Sequence, residues 1–101
     1  MEDYTVKIKE KYIENGCYKG VRTVKDFDSF EKAYQYAAWE ANEFRIDYPK
    51  TTLYQTHKSF PDGRKKSEFL IKPNTADGDG LIEIQIRVFK KYDKTIRCVS
   101  M

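Results

Sequence analysis

Polar and apolar residues alternate near the start of the chain. Tyr4, Val6, Ile8 and Tyr12 fall on one side, and Thr5, Lys7, Lys9 and Lys11 on the other. A period of two predicts a strand with one buried face. Asn15-Gly16 follows, and both residues tolerate the positive φ that a two-residue hairpin turn requires. With these two as the turn, Glu14 faces Cys17, Ile8 faces Thr23 and Glu10 faces Val21, so a second strand is expected over 17–25. The period then lengthens. Phe30, Ala33, Tyr34, Ala37, Ala41 and Phe44 form one stripe at helical spacing. Asp28-Ser29-Phe30-Glu31 has capping-box spacing, which predicts Asp28 as the accepting cap and Glu31 as the side chain that reaches back. Pro49 pushes Tyr48 out of helical geometry. A helix is therefore predicted over 29–46.

Residues 51–60 are rich in Thr, Tyr and Leu and read as a strand. Pro61-Asp62-Gly63 is a turn, and 67–72 forms the return strand with Phe69 and Ile71 on one face. The stretch 73–80, PNTADGDG, is a loop by composition. In 81–89, Ile82, Ile84, Ile86 and Val88 point one way and Glu83, Gln85 and Arg87 the other. Residues 95–99 have the composition of a short last strand. Short connections imply antiparallel pairing, and one amphipathic helix covers one sheet face. The expected fold is α+β: a mostly antiparallel sheet of four to five strands with one helix on one face, in ββαβββ order. The other face is expected to be polar and solvated.

Composition supports one domain over 1–101. The 101 residues are 40% hydrophobic and 15% aromatic, enough for a modest core and too aromatic for a disordered chain. No apolar run approaches the ~18 residues of a membrane helix. Met1-Glu2-Asp3-Tyr4 is acidic, which argues against a secretory signal. Cys17 and Cys98 form neither a disulfide framework nor a metal spacing. A cytoplasmic protein is expected, and a net charge of +3 does not by itself demand nucleic acid.

Candidates for chemistry are few. His57 lies in a predicted strand without partners for a triad or metal, and an exposed strand residue is the expected role. Asp77-Gly78-Asp79-Gly80 has too few acids, and the wrong flanks, for a calcium loop. No phosphate-cradling loop or Cys-x-x-Cys pair occurs. The expectation is a non-enzymatic protein with no catalytic residue, cofactor or metal.

Charge is distributed unevenly. Residues 28–49 carry five acids against two bases, a net of −3, and 50–73 carry six bases against two acids, a net of +4. Lys58, Phe60, Arg64, Lys65 and Lys66 cluster about the second hairpin turn. A basic tip with an aromatic can grip phosphates and stack on bases, although Lys at an edge hairpin also deters strand addition. Continuation through Lys90, Lys91, Lys94 and Arg97 would extend a nucleic-acid surface. On the helix, advancing about 100° per residue from Phe30 puts Trp39 near ~180°, Glu43 near ~220°, Tyr36 near ~240° and Glu40 near ~280°. The only tryptophan thus points away from the predicted core, beside a tyrosine and two carboxylates. Trp and Tyr are enriched at interface hot spots. Tyr36, Trp39, Glu40 and Glu43 are the candidate partner site. A covering loop or strand, or a homodimer through this face, would also account for the exposed ring.

The strand that leads into Asp26-Phe27-Asp28-Ser29-Phe30-Glu31, followed by a single helix and an antiparallel sheet, resembles small phage-encoded anti-defence proteins, anti-CRISPR inhibitors among them. The resemblance lies in the strand-to-helix junction. It implies a compact protein, at work in the host-cell cytoplasm, that occludes a larger host protein or nucleoprotein complex. The expected function is a protein-binding inhibitor or modulator. Its acids would cover a nucleic-acid-binding surface, with Trp39 and Tyr36 as anchors. The alternative is a small nucleic-acid-binding protein that uses the 58–66 hairpin. No membrane partner is expected.

Overall fold

Asn15 and Gly16 adopt φ of 53° and 80°, the left-handed values that let two residues reverse the chain with the twist of a hairpin. The computed structural model describes residues 3–75 and 80–91. Around this turn, β1 (Tyr4–Glu14) pairs antiparallel with β2 (Cys17–Phe27). Glu14 faces Cys17, Glu10 faces Val21 and Ile8 faces Thr23, the register that the turn dictates. Strand β2 runs two residues further than expected, to Phe27.

The helix α1 spans Phe30–Asp47. Its cap is Ser29 rather than Asp28: the Ser29 hydroxyl accepts from the Lys32 N–H at 3.2 Å. Ser29 is the residue held in extended geometry, φ −148° and ψ 157°, which aims its oxygen at that amide. Asp28, one residue too early, instead pairs with the Lys32 ammonium at 3.2 Å. Ala33, Ala37 and Ala41 are buried along one stripe, so the helix backbone sits close against the sheet.

The second hairpin joins β3 (Thr51–Ser59) to β4 (Lys65–Pro73) through a turn with Gly63 at φ 92°. Then β5 (Leu81–Lys90) enters between the two hairpins. The sheet order is β2-β1-β5-β4-β3, all antiparallel. The molecule is thus an α+β fold of one helix on a five-stranded sheet. The expected strand at 95–99 lies outside the described residues.

Alternation sends Val6, Ile8, Ile84, Ile86, Val88, Phe69 and Ile71 toward the helix, and all are buried. Phe30 and Phe44, expected deep in the core, are only partly buried and flank it. Ile82 departs from its expected place among the core isoleucines. The β1–β5 register shifts between Lys11 and Tyr12, so Tyr12 faces Leu81. Leu81 takes the core position and Ile82 is half-exposed. An extra residue in a ladder reverses the alternation beyond it.

Candidate binding surfaces

Two surfaces stand out once the layers are in place: the outer side of α1 and the sheet face turned away from it. On α1, Trp39 is 57% exposed, as its helical phase requires. Tyr36, expected beside it in solvent, is half-buried. Phe27, at the end of β2, packs on the Tyr36 ring at 5.3 Å between centroids, and Tyr36 in turn lies 6.4 Å from Trp39. Lys25 sits over Tyr36 at 4.8 Å. The Tyr36 hydroxyl donates to Glu40 Oε2 at 2.6 Å. Burial, reinforced by that carboxylate, pushes the Tyr36 pKa up to about 12, so the phenol stays a donor and fixes Glu40. Glu43 is exposed one turn beyond Trp39.

The helix carries a further exposed apolar residue, Ile46. Its phase, near ~160° from Phe30 at about 100° per residue, puts it almost in line with Trp39. The helical period alone carries this signal, since residue 46 is apolar and nearly in phase with Trp39. Trp39, Ile46 and Glu43 form one stripe on a rigid element, backed by Tyr36 and Phe27.

The basic hairpin tip does not assemble as one surface. Arg64 bonds its own turn's Asp62 at 2.8 Å and lies over Phe60 at 4.7 Å. The Arg64 N–H, with its guanidinium, holds the Asp62 carboxyl below its ordinary value. Lys58 also approaches the Phe60 ring, at 5.8 Å. Lys65 points to the helix side, 4.0 Å from Glu31 and over Phe30. Alternation sends Lys58 and Lys66, which face one another across β3 and β4, to the opposite side. Cations thus crowd the one aromatic meant for stacking, and the bases divide between two sides.

His57 is exposed on β3, where its Nδ1 meets the Ser67 hydroxyl at 2.7 Å and its ring meets Phe30 edge-on. Ser67 is buried, so this pair presents no accessible nucleophile. Cys17 is exposed beside the first turn. Among the described residues no cluster of His, Cys, Asp or Glu could hold a metal ion. Among them too, no helix is long and apolar enough to cross a membrane. Residues 76–79, read from composition as part of a loop, and Cys98 lie outside the described residues.

No described element covers the far sheet face. It was expected to be polar, yet among the described residues four of the seven large exposed hydrophobic side chains lie on it: Ile13, Tyr18, Val24 and Tyr54. Lys7, Lys9 and Lys11 of β1 and Arg22 of β2 share it. No family model matches the chain, and no curated protein or solved structure matches it either.

Proposed function

We propose that the chain is a non-enzymatic binding protein that modulates a larger protein by docking the outer side of α1 onto it. The observation that carries this is the exposed Trp39 ring, flanked by Tyr36, which itself packs on Phe27. An anchor already fixed before contact loses little side-chain entropy on binding, and Trp and Tyr are the residue types on which interface energy concentrates. The helix supplies four acids, Glu31, Glu40, Glu43 and Asp47, against Lys32 and Arg45. That balance favours a partner whose contacting surface is basic. The finer reading is an anti-defence factor of phage type, acting in the host cytoplasm. It would occlude the nucleic-acid-binding surface of a host protein, in line with the resemblance of the strand-to-helix junction.

The test is affinity capture from a nuclease-treated bacterial lysate with wild-type and Trp39→Ala baits. The expected result is one stoichiometric protein, retained by wild-type and weakened by about 2 kcal/mol or more in the variant, as at interface hot spots. Folding stability should change by less than about 1 kcal/mol, since the ring is largely in water. Tyr36→Ala should cost more, because it uncovers Phe27. Capture that is indifferent to Trp39, or blue, unquenchable tryptophan emission from the isolated monomer, would overturn the reading.

A further inference from the structure

The face of the sheet away from α1 has an arrangement that folding alone does not favour. Alternation puts Lys7, Lys9 and Lys11 of β1 on this face, beside Val24, Arg22 and Gly20 of β2. The register seats Lys9 directly opposite Arg22, and Lys7 directly opposite Arg87 of β5. Like charges that face each other across a ladder repel. The acids that the described strands place on this face are Asp26, Glu68 and Glu83. Glu83 pairs with Lys11 at 3.4 Å, Asp26 with Lys91 at 2.7 Å, and Glu68 accepts from Gln85 at 2.7 Å. Among the described residues no carboxylate lies within ion-pair distance of Lys9 or Arg22. Among the described residues, the face therefore keeps positive charge at Lys9 and Arg22 that no carboxylate pairs.

The same row continues across the molecule. Arg22, Lys9, Gln85, Leu70 and Tyr54 stand in register over all five strands, β2 to β3. Adjacent strands are about 4.8 Å apart, so the row spans roughly 19 Å. It begins with paired cations and ends at Tyr54, a ring that is 54% exposed. Cations that track a backbone, with an exposed aromatic within reach, are the two parts of a single-stranded nucleic-acid site.

We propose that this sheet face binds single-stranded nucleic acid, with Lys9, Arg22 and Lys11 on phosphates and Tyr54 stacked on a base. The face is built from the strands of the sheet, with no described helix on it to enter a duplex groove. An open sheet surface suits an extended single strand, whose bases are free to turn toward the protein. This proposal does not depend on the helix-face reading, because the two surfaces lie on opposite sides of the molecule.

The test is fluorescence anisotropy of a labelled single-stranded oligonucleotide about 12 nucleotides long, within the ~4–16 nucleotides that a small binding domain covers. The expected result is salt-sensitive binding. The double variant Lys9→Gln, Arg22→Gln should weaken it at least about tenfold and flatten the slope of log K against log salt by ~0.7 per lost phosphate contact. A charge-matched double variant on the helix, Lys32→Gln with Arg45→Gln, should leave binding within twofold, roughly the scatter of remote surface changes. Tyr54→Ala should lose about five- to hundredfold, the range of one base–aromatic stack, with circular dichroism and urea midpoints unchanged. Absence of binding at low salt would overturn the proposal. So would equal affinity for a duplex with no effect of Tyr54→Ala, equal losses in the two double variants, or binding to phosphatidylserine vesicles in place of the oligonucleotide.

Discussion

Neighbouring residues on one strand send their side chains to opposite faces of the sheet, and the two faces differ in kind. On the helix side, Val6 and Ile8 pair with Val88 and Ile86 and are sealed from water. One residue along, Lys7 and Lys9 face Arg87 and Gln85 in the same ladder. The covered face is set by exclusion of water: a side chain there is apolar, or is bonded as Ser67 is to His57. On the other face Thr5 is likewise buried, its hydroxyl donating to the Lys25 carbonyl, while Ile13, Tyr18, Val24 and Tyr54 stay exposed. Apposed cations and exposed aromatics mark that face as the one where stability and use pull apart. Burial identifies what holds the sheet together, and the apposed cations are what the proposed nucleic-acid face rests on.

The contrast can be tested most directly in the core. Ile84 is fully buried, and Ile84→Ala should destabilise the fold by ~2–5 kcal/mol, as large-to-small core changes do. Val24→Ala, on the uncovered face, should cost no more than about 0.5 kcal/mol, as surface changes usually do. Urea denaturation of both variants reads the difference, and equal losses would show that the far face is covered in solution. A smaller effect concerns the helix that creates the asymmetry. Ser29→Ala should cost ~0.5–2 kcal/mol through its lost cap. Asp28→Ala should cost ~0.3–0.5 kcal/mol at most, the value of an i,i+4 surface pair. The reverse order would restore Asp28 as the cap.

Smaller still, and opposite in sign, is the effect of relieving the apposed cations. Lys9→Glu should stabilise the sheet by ~0.2–1 kcal/mol by pairing with Arg22, while oligonucleotide affinity falls. A variant that loses stability would mean that these charges are not in conflict. A further change is expected at high pH. Folding raises the Tyr36 pKa above its ordinary 10, to about 12. The neutral phenol is thus favoured by the folded state, and that stabilisation is complete below pH 10 and fades as pH rises toward about 12. Glu40→Gln removes the acceptor carboxylate and should bring the phenolate absorbance transition back toward 10.

Much of this architecture was legible because it is local. Asn15-Gly16 set the first hairpin's register residue by residue, and the alanine stripe located the buried side of α1 along with the exposure of Trp39. What escaped the sequence reading depends on contacts between distant segments. Nothing near Tyr36 reveals that Phe27 packs onto it. Nothing within 81–89 marks the register shift that turns Ile82 out of the core, because the shift arises only against β1. The 58–66 tip looked basic by count, but Asp62 and Phe60 engage Arg64 within the same turn. The cationic row was also out of reach. Each strand displays its own alternation, but Arg22, Lys9 and Tyr54 form one line only when β5 is known to lie between β1 and β4.

That position of β5 also bears on synthesis. Both hairpins and the helix precede it on the chain, so all of them leave the ribosome before the strand that joins them. At ~5–20 residues per second, each hairpin can close on its own partner as soon as it emerges, yet neither has a completed core until Leu81–Lys90 follows. Until then the facing edges of β1 and β4 stay unpaired, and the alanine side of α1 lacks much of the surface that it covers. A nascent chain arrested before Leu81 should therefore be a substrate for chaperones and proteases, and release of one further strand should convert two loose hairpins into a single protected sheet.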